Sequence, residues 1–237
     1  MIYLISLAAF ASTFLGGLFA LRLKDRLHLI LGFSAGAVIG VALFDLMPEA
    51  LELAGGAHAP AFITSIIALG FVTYLILDRM VILHGHDDDH PHSARGIVGA
   101  STLAFHSFLD GVAIGLAFHV SSSVGLVVTF AVLAHDFSDG INTVNMILKG
   151  GGDRARAMKW LAIDALAPVL GVIATMFFTL SESSLGILLA LFAGFFLYIG
   201  ASELLPESHH AHPVRWTTFA TLIGIATLYI VVRFAGI

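Results

Sequence analysis

Eight apolar stretches, each about 20 residues or longer, occupy nearly the whole chain at 2–21, 29–53, 61–83, 97–117, 122–147, 158–180, 185–206 and 214–235. About 20 residues of helix cross a hydrocarbon core roughly 30 Å thick, so each stretch reads as one membrane crossing. Composition supports this. Hydrophobic residues make up 58% of the 237 and charged ones only 11%, against about 25% charged in soluble domains. A surface facing water on all sides cannot be built from such a chain. The formal net charge of −5 leaves no basic face for nucleic acid. Cysteine is absent, which excludes disulfides, thiolate metal sites and cysteine nucleophiles. No Lys or Arg precedes Arg22, so the first stretch lacks the basic start of a secretory signal and is read as a retained helix.

The breaks between stretches are short: Arg22-Leu-Lys24-Asp-Arg26, the tract Gly55 to Pro60, and Gly150-Gly151-Gly152. With the N-terminus outside, the inner loops hold Arg22, Lys24, Arg26, Arg79, Arg95, Lys149, Arg154, Arg156, Lys159 and Arg215. Of the 11 basic residues only Arg233 falls on the other side. Positive charge collects on cytoplasmic loops, so the expected fold is an all-α polytopic membrane protein with both termini outside. It forms a single transmembrane domain over 1–237, with its longest loop, about 84–95, in the cytoplasm.

A second regularity suggests internal symmetry. Asp45-Leu-Met-Pro48-Glu49-Ala50 closes the second stretch and Glu203-Leu-Leu-Pro206-Glu207-Ser208 closes the seventh. These stretches run in opposite directions, as an inverted repeat of helices 1–3 and 6–8 around helices 4 and 5 requires. Inverted repeats are common in transporters, whose substrate sites lie near the midplane.

The fourth stretch carries His106-Ser107-Phe-Leu-Asp110-Gly111 and the fifth His135-Asp136-Phe-Ser138-Asp139-Gly140. Both read His-x-x-x-Asp-Gly, and residues four apart share a helix face. Counting about 1.5 Å per residue from Arg95 and Lys149 puts these groups roughly 15–22 Å deep, near the bilayer centre. Three carboxylates left facing lipid there would cost on the order of 7–10 kcal/mol. Neither stretch has a Lys or Arg at that depth to pair with them. A divalent cation meets the need: two imidazoles and two carboxylates make a nitrogen and oxygen site suited to Zn²⁺. Fe²⁺, Mn²⁺ and Co²⁺ accept similar ligands. Ser107 and Asp136 are placed to offer oxygen to a second ion bridged by Asp110 and Asp139.

On these motifs the sequence resembles the ZIP family, the Zrt/Irt-like divalent metal transporters. The resemblance covers the whole chain, including the histidine-bearing loop after helix 3. It implies a primary site of His106, Asp110, His135 and Asp139, a secondary one including Ser107 and Asp136, and a homodimer. Many relatives have Glu where Asp110 and Asp139 stand here. Some bacterial relatives have Glu-Pro in the sixth helix; here Ala167 precedes Pro168, and Asp164 is the nearest acid and the substitute or exit ligand.

Other features fit a cation path. Asp45, Glu49, Glu203 and Glu207 read as carboxylates at its two mouths. His84, His86, His90 and His92, with three aspartates among them, have the composition of a metal-binding tract. Gly32, Gly36 and Gly40 form a ladder for close helix approach, within the chain or between copies. The expected activity is uptake of Zn²⁺, or of Fe²⁺, Mn²⁺ or Cd²⁺, by alternating access, with the metal as cargo and no catalysis. The expected setting is a prokaryotic cytoplasmic membrane. Two alternatives are an intramembrane zinc hydrolase, with Ser107 and Asp136 serving a metal-bound water, and an exporter of the cation-diffusion-facilitator type. The latter typically has six helices and a soluble domain.

Overall fold

The computed structural model describes residues 2–21, 27–85, 92–177, 180–209 and 215–235. They form α1 (Ile2–Ala20), α2 (Leu27–Val41, continuing to Gly55), α3 (Pro60–Gly85), α4 (His92–Val120), α5 (Ser122–Lys149), α6 (Arg154–Thr175), α7 (Glu182–Tyr198, continuing to His209) and α8 (Arg215–Ala235). Among the described residues, seven helices are long and apolar enough to cross a membrane, and α1 is a shorter apolar helix.

Local chemistry sets the helix ends. Asp153 caps α6 by accepting from the Arg156 amide at 2.8 Å, so that helix starts at Arg154, four residues before the apolar stretch expected at 158. It also stops at Thr175, short of the expected 180. Ser121 caps α5 by accepting from the Val124 amide at 3.1 Å, and Gly151 turns the chain between α5 and α6 with φ of 80°, which favours glycine. Helices α3 and α4 reach Gly85 and His92, so both ends of the expected 84–95 loop are helical. His86 and His90 lie outside the described residues, as do the side chains of His84 and His92.

α2 and α7 share an irregularity. Each widens into a π-helical stretch, Ala42–Leu46 in α2 and Ile199–Leu204 in α7. The amides of Met47 and Leu205 reach back five residues, to the carbonyls of Ala42 and Gly200. Pro48 and Pro206 follow directly. A proline has no amide to donate and crowds the carbonyl four residues back, which here belongs to Phe44 and Ser202. Both lie inside the widened stretch.

The packing repeats as well. α1 packs on α5 and α6 on α4, while α2 packs on α8 and α7 on α3. Backbones nearly touch at these crossings. A Cβ on Gly140 would overlap the carbonyl of Thr13, and one on Gly111 would overlap that of Pro168. Likewise Gly16 meets Phe137 and Gly171 meets Phe108, and both phenylalanines stand two residues after a motif histidine. In the outer pairs Gly36 and Gly224 bring α2 to α8, and Gly70 and Gly194 bring α3 to α7. The Gly32, Gly36 and Gly40 ladder therefore packs inside the chain, against Thr217, Thr221 and Leu228 of α8. The counterparts α1 and α6, α2 and α7, and α3 and α8 lie five helices apart in the chain, so one copy is inverted if every helix crosses.

These crossings divide the helices into two groups, α1, α4, α5 and α6 against α2, α3, α7 and α8. Among the described residues, every glycine whose added Cβ would come within 3 Å of another helix does so within its own group. The two groups also meet, chiefly α2 against α5: the Ser34 hydroxyl donates to the Ala134 carbonyl, and Phe196 of α7 meets the His135 ring edge-on.

Candidate metal centre

Helical spacing puts each motif histidine one turn from its aspartate, and the tight approach of α4 and α5 brings the two pairs face to face. His106 Nε2 lies 3.1 Å from Asp110 Oδ2 and 3.7 Å from Asp139 Oδ2. His135 Nε2 lies 3.3 Å from Asp110 Oδ2 and 3.8 Å from Asp139 Oδ2. One ligand atom from each of the four residues falls within 4.8 Å of the other three, and all four residues are buried. Ligands held tetrahedrally at about 2.0–2.2 Å from Zn²⁺ are roughly 3.3–3.6 Å apart, so the spacing fits one such ion with small adjustment.

The imidazoles are aimed by their other nitrogens. His135 Nδ1–H donates to the carbonyl of Ala131, one turn back on its own helix, at 3.0 Å. His106 Nδ1 is 3.0 Å from the hydroxyl of Tyr74 on α3. A neutral imidazole bonded through Nδ1–H keeps the Nε2 lone pair for a metal. His106 Nε2 and Asp139 Oδ2 are buried without a hydrogen-bond partner. Two imidazole nitrogens and two carboxylates facing one another is the arrangement a cation relieves, the ion taking the place of the His135 Nε2 contact with Asp110 Oδ2.

The remaining candidates divide. Asp136 is buried with neither oxygen hydrogen-bonded, and its Oδ1 is 3.9 Å from His135 Nε2, at the edge of the four-ligand cluster. Ser107 is committed elsewhere: its hydroxyl donates to Asp164 Oδ1 at 2.7 Å, and Thr143 donates to Oδ2 of the same carboxylate at 2.7 Å. Asp164 is buried and bridges α4, α5 and α6 beside the cluster rather than within it. Among the described residues no buried side chain is Lys or Arg, so none of these carboxylates has a fixed cation inside the protein.

At the expected mouths, Asp45 sits in the π-helical stretch of α2, fully buried with neither oxygen hydrogen-bonded. Glu49, one turn on, is buried as well. The backbone puts Glu203 in the matching stretch of α7 and Glu207 in the turn beyond; their side chains lie outside the described residues. Sequence reasoning missed Tyr74 and Thr143. Thr143 stands four residues after Asp139 and eight after His135, a helical spacing that would have found it. Tyr74 sits in an apolar stretch with no such marker.

A bundle of apolar helices around buried, paired His and Asp side chains defines a polytopic membrane protein with a buried cluster able to hold a cation. Residues 83–231 match the family described as ZIP Zinc transporter, and the chain belongs to that family. It is 29% identical to zinc transporter ZIP9-A of Xenopus laevis, over 87% of this chain and 84% of that protein. It is 26% identical to zinc transporter ZupT of Escherichia fergusonii, over 99% and 98%. Zinc transporter YKE4 of Saccharomyces cerevisiae is 26% identical, over 81% of this chain and 65% of its own. The chain is thus a multi-pass membrane protein of divalent metal transport and not an enzyme, which sets aside both the hydrolase and the diffusion-facilitator reading.

Proposed function

We propose that the protein carries Zn²⁺ into the cytoplasm, with Fe²⁺, Mn²⁺ and Cd²⁺ as competing cargoes, and that His106, Asp110, His135 and Asp139 bind the ion at mid-membrane. The observation carrying this reading is the buried four-atom cluster, two nitrogens and two oxygens at zinc-like spacing. Asp136 and Asp164 stand beside it as secondary or exit carboxylates, and Asp45 and Glu49 lie on the approach from outside. The carboxylates offset the dehydration of the ion, and alternating access then opens the site inward. The two helix groups support a step in which α1, α4, α5 and α6 move together past α2, α3, α7 and α8. Such a step slides side chains over one another and leaves the glycine crossings closed. The setting we favour is a prokaryotic cytoplasmic membrane and a homodimer. α3 and α8 bury the smallest shares of their spans, 22% and 28%, and leave apolar faces for lipid or a second copy.

The test is the purified protein in liposomes with a metal-sensitive dye inside and Zn²⁺, Fe²⁺, Mn²⁺ or Cd²⁺ added outside. A His106→Ala/Asp139→Ala double variant runs beside it. Flux that the variant loses supports the path and ranks the metals. Metal bound by the wild type with no flux overturns it.

A further inference from the structure

The two imidazoles of the centre are related by the internal repeat, yet they are held differently. His135 is oriented by the Ala131 carbonyl of its own helix, and that partner goes wherever α5 goes. His106 is oriented by Tyr74, which belongs to the other helix group. Matching Gly70 of α3 with Gly224 of α8 makes Leu228 the counterpart of Tyr74, and Leu228 is an apolar packing residue against Gly40. The polar hold therefore exists on one side of the repeat only.

Tyr74 is itself firmly placed. Its ring packs against Phe195 and Tyr198 of α7, with centroids 5.7 and 5.4 Å away. One turn before it, Gly70 brings α3 into backbone contact with α7 at Leu191. One turn after it, Asp78 accepts from the Tyr198 hydroxyl at 2.7 Å. A rigid aromatic group on one helix set thus extends a single hydroxyl to an imidazole of the other. The geometry points to Tyr74 as a positioning residue that sets the affinity of the metal centre in this conformer alone: it aims His106 Nε2 at Asp110 and Asp139 here, and releases it when the helix groups move apart. The ion is then gripped more firmly in one state than in the other, by a contact that the displacement itself breaks.

This inference rests on the proposed metal site and on the movement of the two groups, and the test separates them. Wild type, Tyr74→Phe and His106→Ala are reconstituted as full chains, and Zn²⁺ flux is measured against concentration alongside equilibrium Zn²⁺ binding in detergent. Phenylalanine keeps the ring packing and removes only the hydroxyl. Outer-sphere partners of metal-bound histidines are worth about 10–100-fold in affinity. Tyr74→Phe is therefore expected to raise KM and the dissociation constant about tenfold, with maximal flux equal to or above wild type. A KM within about twofold of wild type, well under that range, overturns the inference. So does a tenfold KM with a proportionate collapse of maximal flux, which marks a damaged fold. Wild-type flux through His106→Ala overturns the site reading instead.

Discussion

The Ser107 hydroxyl donates to Oδ1 of Asp164 at 2.7 Å, tying α4 to α6 one residue beyond His106. Thr143 completes the arrangement from α5, so one buried carboxylate fastens three helices that all pack around the buried His/Asp cluster. Asp164→Ala removes the acceptor of two buried hydroxyls, at about 1–3 kcal/mol for each orphaned group. A clear fall in melting temperature is expected by thermal unfolding in detergent. An unchanged Tm would mean that the two hydroxyls find other acceptors at no cost.

Removing a ligand should cost more than disturbing its support. Since outer partners are worth about 10–100-fold, Asp110→Ala is expected to weaken equilibrium Zn²⁺ binding by more than about 100-fold. The fold should survive, because the substitution also removes a buried carboxylate. Titration with a competing chelator measures this directly.

Proton competition gives the transport a pH sign. Imidazole must be neutral to bind metal, and its ordinary pKa is about 6.5. Affinity therefore falls as pH drops and protons compete for the imidazole nitrogens, so uptake in vesicles should weaken toward acid pH. A rate that stays flat from about pH 5 to 8 would argue against histidine ligands at the rate-controlling site.

The glycine crossings can be tested separately. Gly111→Ala drives a methyl group into the Pro168 backbone, and overpacking of this kind costs on the order of 1–3 kcal/mol. Lower stability and lost flux are expected together. Gly55→Ala, where a Cβ meets nothing within 4 Å, should leave both intact.

Asp45 is a buried carboxylate whose oxygens have no hydrogen-bond partner. An uncompensated buried charge opposes folding, so Asp45→Asn is expected to keep or raise Tm. If cations approach along α2 it should also lower uptake severalfold at limiting Zn²⁺. Loss of stability with unaltered uptake would assign Asp45 to packing.

What the sequence disclosed, and what it hid, follows from the range of each interaction. The doubled His-x-x-x-Asp announces a buried cluster because four-residue spacing places both groups on one helix face, and the structure brings the two pairs together. Gly32, Gly36 and Gly40 announced a close approach without naming α8 as the partner, since a ladder of small residues says nothing about what fills it. Tyr74 was hidden because its bond to His106 spans 32 positions, and a tyrosine in an apolar helix looks the same whether it faces lipid or an imidazole. The start of α6 was misjudged by hydropathy because Asp153 begins the helix in a charged turn that hydropathy alone scores as loop.

The widened stretches in α2 and α7 have a consequence for reading positions along these helices. A five-residue reach takes up about one residue more per turn than the ordinary four, and one residue amounts to roughly 100° of rotation. A helical wheel drawn straight through α2 therefore loses phase at Ala42–Leu46 and assigns Glu49 and its neighbours to the wrong side. Accessibility plotted against position along α2 should show one period before the stretch and the same period, shifted, after it. α7 should slip in the same way beyond Ile199–Leu204.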